Sequence, residues 1–217
     1  MEFVDFLGLD RQSPMAKRAA RGMGVYGVQV YDFNRSPGQE LLSDEDARLD
    51  PDVSDSNAEI PLGPKSVAIF VLDVRSNKTP WLRTIPERFQ YDAAGDFLGE
   101  AQWQWFETAI GRSTASVNIV VTGLQVHADV FFDGSKIEDW GKYPRAQHRI
   151  YQALLQPNVQ APIIVSGDIH LAQLLRKDCR QGSSYQSLLE GKTASIHKFC
   201  LLNTLILTPS KKSLRLA

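Results

Sequence analysis

Three short apolar runs constrain this chain more than any other feature of it. They are SVAIFVLD (Ser66 to Asp73), VNIVVTG (Val117 to Gly123) and APIIVSG (Ala161 to Gly167). Each is rich in β-branched residues, and polar side chains follow close behind. Runs of this kind are expected to be strands buried on both faces, as in a parallel sheet. Two helical stretches separate them. From Gly99 onward, Trp103, Phe106 and Ile110 recur at helical spacing, and Glu100 and Glu107 can face water. From about Pro144 to Gln156, Ile150, Leu154 and Leu155 supply an apolar face behind a first-turn proline. Strand, helix, strand, helix, strand predicts an α/β fold. Upstream, GVYGVQVYDF (Gly24 to Phe33) alternates as a further strand.

The 217 residues are 43% hydrophobic and 23% charged, enough for one domain with a sizeable core. The formal net charge of -1 gives no basic field for a polyanion, so no nucleic-acid partner is expected. The start, MEFVDFLGLDRQ, carries acids early and does not read as a signal peptide. The late apolar stretch from Phe199 to Leu207 is too short to cross a bilayer, which takes about 20 residues. No membrane span is expected in this chain. Cys179 and Cys200 read as free thiols rather than a disulfide framework.

A composition break runs over residues 36–64, where SDEDARLDPDVSDSN is acidic and poor in large apolar groups. It reads as a flexible surface insertion. A calcium loop is the other reading, but the turn glycine and terminal glutamate of an EF-hand are missing.

The chemistry is expected where the strands end. VVTGLQVH (Val120 to His127) and IVSGDIH (Ile164 to His170) both read apolar run, small hydroxyl residue, glycine, then polar side chains. Ligands of open α/β sheets sit at the carboxyl ends of strands. Asp73, Gln125, Asp168 and His170 are therefore candidates for one crevice. Asp168 and His170, two apart, project to the same side if the chain stays extended, and both can ligate zinc, iron or manganese. A surface-turn aspartate beside an ordinary histidine is the competing reading. His127 is a candidate third ligand or a polar surface residue. Arg75 can either grip a phosphate through its planar fork or pair with a neighbouring acid. Trp103 and Trp105 could form a ligand platform, but their spacing suits core packing. His148 and His197 carry no usable pattern. No Walker A loop, dinucleotide-binding glycine fingerprint, nucleophile elbow or CxxC pair is present.

Taken together, these segments resemble the PhoD-like (alkaline phosphatase D) phosphatases, of the calcineurin-like metallophosphoesterase superfamily. IFVLDVRSNKT (Ile69 to Thr79) is similar to that family's LDxR segment. FLGEAQWQWFETAI (Phe97 to Ile110) resembles its LGxxQWxWL helix, and EDWGKYPRAQHRIYQALL (Glu138 to Leu155) its next segment. IIVSGDIHLAQLLR (Ile163 to Arg176) resembles its GDxH block. The resemblance implies a partial αββα sandwich and a metal-dependent phosphodiesterase or phosphomonoesterase acting on a small phosphoester. It implies Asp168 and His170 as metal ligands, with calcium and iron as the ions and manganese or zinc as alternatives. Gln125 and Arg75 are the candidate catalytic residues. The family's upstream aspartate and asparagine motifs fall before Met1. The expected organisation is thus a partial phosphatase domain over 1–176 and a divergent tail over 177–217 that packs apart from the sheet. An incomplete, weakly active form is expected, with association through exposed sheet edges. A non-catalytic interaction module is the alternative.

Overall fold

A computed structural model describes residues 2–42, 49–53, 62–83, 88–127, 137–168, 172–181, 184–192 and 214–215. Helices α1 (Glu2–Phe6) and α2 (Pro14–Ala20) precede strands β1 (Gly27–Asp32) and β2 (Ser66–Val71). Then come α3 (Gly99–Gly111), β3 (Val117–Thr122), a 3₁₀ turn (Trp140–Lys142), α4 (Pro144–Leu154) and β4 (Pro162–Ser166). Strands β5 (Gln173–Gln181), β6 (Ser184–Lys192) and β7 (Leu214–Arg215) follow. The three apolar runs become β2, β3 and β4, and both expected helices form.

Among the described residues one seven-stranded sheet runs in the order β1-β2-β3-β4-β6-β5-β7. β2, β3, β4 and β6 are parallel to one another, while β1 pairs antiparallel with β2, and β5 pairs antiparallel with β6 and β7. The parallel core follows from the α3 and α4 crossovers, each of which returns the chain to the same edge of the sheet.

The central strands are not buried alike on both faces. Ala68, Phe70, Asn118, Val120, Thr122, Ile164, Ser166 and Glu190 point to one side and are almost fully buried. Val67, Ile69, Val71, Ile119, Val121, Ile163 and Val165 alternate with them and are only half-buried. The helices lie on the first side. Phe106 of α3 meets Phe70 edge-on at 5.9 Å, and Trp140 Nε1 donates to Thr122 Oγ1 at 3.3 Å. A period-2 side-chain pattern explains the asymmetry, because one helical layer covers only one face.

Two other expectations change. The acidic insertion is anchored in part. Leu41 bridges Tyr31, Leu42 and Leu49 are buried, and Asp50 is buried against Arg18 at 2.8 Å. Arg18 also reaches Asp52 at 2.7 Å, so these two acids serve a buried guanidinium. Residues 43–48 and 54–61 of the insertion lie outside the described residues. The chain after Arg176 does not sit apart. β5 runs straight through Arg176, and β6 inserts between β4 and β5, with Ile164 opposite Glu190. A hydrophobic core alone does not account for this insertion, because β6 brings a buried carboxylate with it.

Candidate active-site edge of the sheet

The parallel register aligns three strand ends. Val71 lies opposite Val121, and Thr122 opposite Ser166. The chain leaves this edge through Asp73, Gln125 and Asp168, so Gln125 and Asp168 occupy the same end of the sheet. Asp168 is exposed and has a φ of 82°. A non-glycine residue rarely takes this left-handed conformation, which costs energy and clusters at functional sites. His170 lies outside the described residues.

Asp73 is occupied by its own loop. Its Oδ2 accepts the Val25 amide at 2.8 Å and the Ser76 hydroxyl at 2.6 Å. Its Oδ1 accepts the Arg75 amide at 2.9 Å and the Ser76 amide at 3.0 Å. Burial works to raise the Asp73 pKa, but these bonds outweigh it and hold the carboxyl below its ordinary value. Gly24 (φ 115°) leaves room for this, since a Cβ there would stand 2.9 Å from Asp73 Oδ2.

Gln125 is buried, with its amide donating to the His127 carbonyl. The His127 ring is also buried, 3.1 Å from Tyr151 Oη and 3.2 Å from the Leu188 carbonyl. Glu190 ties this loop to the sheet. Its carboxylate accepts the Val126 amide at 2.9 Å, the His127 amide at 2.5 Å and the Ser166 hydroxyl at 2.5 Å. Glu190 was not a sequence-level candidate. Only a lone acid between Leu189 and Gly191 marks it, with no motif around it.

Arg75 is exposed and donates from Nη1 to Glu138 Oε2 at 2.7 Å. Trp81 Nε1 donates to the other oxygen of Glu138 at 2.8 Å. Trp103 and Trp105 are core residues, with Trp103 Nε1 on Asp96 and Trp105 Nε1 on Asp50. Asp139 is buried 3.6 Å from Lys142 Nζ, and its Oδ1 has no hydrogen-bond partner. Burial raises the Asp139 pKa. Among the described residues, no group of three or more His, Cys, Asp or Glu could hold a metal ion.

The family model for PhoD-like phosphatase matches residues 49–212, from the anchored end of the insertion past β6. The chain belongs to the PhoD-like phosphatase family. The family match thus takes in α3, α4, the strand ends at Gln125 and Asp168, and the Glu190 strand. A solved structure titled "Structure of PhoD" is similar at 20% identity, with a TM-score of 0.48. That match covers 58% of this chain and 26% of the other, so the chain spans about a quarter of that relative's length. No curated protein matches. This family member has, among its described residues, no helix long and apolar enough to cross a membrane.

Proposed function

We propose that this chain contributes to metal-dependent hydrolysis of a small-molecule phosphoester at the carboxyl edge of its sheet. The observation that supports the reading is Asp168, an exposed carboxylate in a strained backbone conformation where β4 ends. Asp168 and His170 would hold the ion together, one through a carboxylate oxygen and one through an imidazole nitrogen. Calcium and iron are the proposed ions, with manganese or zinc as alternatives. When bound, such an ion neutralises phosphoryl oxygens and supplies a deprotonated water.

The other residues act around that centre. Arg75 keeps donors beyond the one engaged by Glu138 and can bind phosphoryl oxygens. Gln125 acts as a positioning residue, since its buried amide holds the His127 carbonyl just past the end of β3. The functional domain extends past Arg176, because β6 supplies the carboxylate that fixes this loop.

The test is turnover of a chromogenic phosphodiester and monoester with added calcium, iron, manganese or zinc. Chelator-sensitive turnover is expected. Asp168→Asn and His170→Ala should each lower both metal occupancy and rate. An unchanged rate in His170→Ala overturns the ligand assignment, and turnover indifferent to chelator overturns metal dependence.

A further inference from the structure

Glu190 is fully buried, and a buried carboxylate is stable only when hydrogen-bonded and balanced by a charge. Its hydrogen-bond donors, the Val126 and His127 amides and the Ser166 hydroxyl, are all neutral. Among the described residues its ion-pair partner is His127, whose Nδ1 lies 3.8 Å from Oε2. Donor accounting at that ring gives its charge. The Leu188 carbonyl can only accept, so Nε2, 3.2 Å away, carries a proton. Tyr151 Oη places its single proton on the Val126 carbonyl at 3.2 Å, so it accepts from Nδ1 at 3.1 Å. Nδ1 then carries a proton as well, and the ring is an imidazolium. A neutral ring would turn the Tyr151 proton away from Val126 and leave Glu190 without a positive neighbour. With both nitrogens engaged inside the chain, neither is open to a metal ion.

We propose that His127 and Glu190 form a buried imidazolium–carboxylate pair that locks the Gln125 end of β3 to β6 and loosens when His127 loses its proton. The Gln125 side chain donates to the His127 carbonyl, so the residue that carries the pair also holds Gln125. Glu190 faces the ring from β6 and Tyr151 faces it from α4. Lys177 of β5 stands behind Tyr151, 5.1 Å from the centroid of its ring, and opposes a second positive charge. The Glu190 carboxylate touches the His127 amide and neighbours the imidazole, so its attraction outweighs that of the more distant ammonium. From β4, Ser166 brings no charge. The sign follows from this arrangement. Glu190 favours the protonated ring in the folded chain, so the pair contributes in full below the unfolded histidine value of about 6.5. The contribution is lost as the pH rises through the higher folded value.

That this lock regulates catalysis rests on the hydrolase reading, but the lock itself needs neither metal nor turnover, so the two can fail separately. The experiment is nitrogen-15 NMR of the imidazole nitrogens in the full chain, in EDTA, across the neutral and alkaline range. At pH 7.5 an unperturbed histidine is about nine-tenths neutral, whereas both His127 nitrogens should still be protonated. In Glu190→Gln the ring should be neutral at that pH, with Nδ1 bare. Hydrogen exchange of the Val126 and His127 amides, corrected for the intrinsic rate, reads the lock. Their protection should fall at least about tenfold as His127 deprotonates, the equivalent of one unit of coupling. A neutral His127 in the parent at pH 7.5 overturns the proposal by itself, whether or not Glu190→Gln folds. An imidazolium that persists in folded Glu190→Gln, or amide protection that is unchanged through the His127 titration, overturns it as well.

Discussion

Glu190 and Ser166 sit on neighbouring parallel strands, with the Glu190 carboxylate 2.5 Å from the Ser166 hydroxyl. The same carboxylate caps the amides of Val126 and His127. One buried side chain thereby joins β4, β6 and the loop that carries Gln125. Glu190→Ala would strand two amides and a hydroxyl without water, and should cost about 3–5 kcal/mol, the range for breaking a buried charged network. Glu190→Gln keeps one acceptor oxygen and should cost less. Urea denaturation of both variants checks the order, and a Glu190→Ala loss below that of Glu190→Gln would contradict it.

Arg18 gives the second prediction. Its guanidinium is buried between Asp50 and the rings of Tyr26 and Trp105, with centroids at 4.7 Å and 5.1 Å. Arg18→Met should leave Asp50 buried without its partner and cost about 3–5 kcal/mol. The double variant Arg18→Met, Asp50→Leu should recover much of that loss. Thermal melts of the single and double variants decide it.

The two sides of the sheet should respond unequally to truncation. Phe70 is fully buried against α3, and Phe70→Ala should cost about 3–5 kcal/mol. Ile119 points to the half-buried side, and Ile119→Ala should cost less than half as much, because less surface returns to water. Equal losses in denaturant melts would mean that the second face is covered in solution.

Asp73 predicts an acid limb of stability. Its folded pKa lies below the ordinary value, so its contribution is full above the unfolded carboxylate value of about 3.9. The contribution is lost as the pH falls through the depressed folded value. Asp73→Asn should therefore reduce stability at neutral pH and flatten the decline below about pH 4 relative to the parent. Melting temperatures across the acid range read this directly, and parallel curves would contradict it.

The sequence by itself determined the α/β class, the three central strands, both main helices and the edge where the strands end. These are local properties, because β-branched runs and helical spacing act within a few residues. The placement of Gln125 and Asp168 at one end of the sheet was legible for the same reason, once the strands were taken as parallel. Only the tertiary structure decided what those residues touch. Arg75 meets Glu138 across 63 positions and Asp50 meets Arg18 across 32, separations that no spacing rule reaches. The alternation of buried and half-buried strand positions also needed the fold, since an apolar run looks the same whether one face or two is covered. Glu190 is the plainest case. An isolated acid in a polar stretch reads as surface, and it becomes a buried tie only when β6 enters the sheet beside β4 and brings it within reach of Ser166 and the His127 loop.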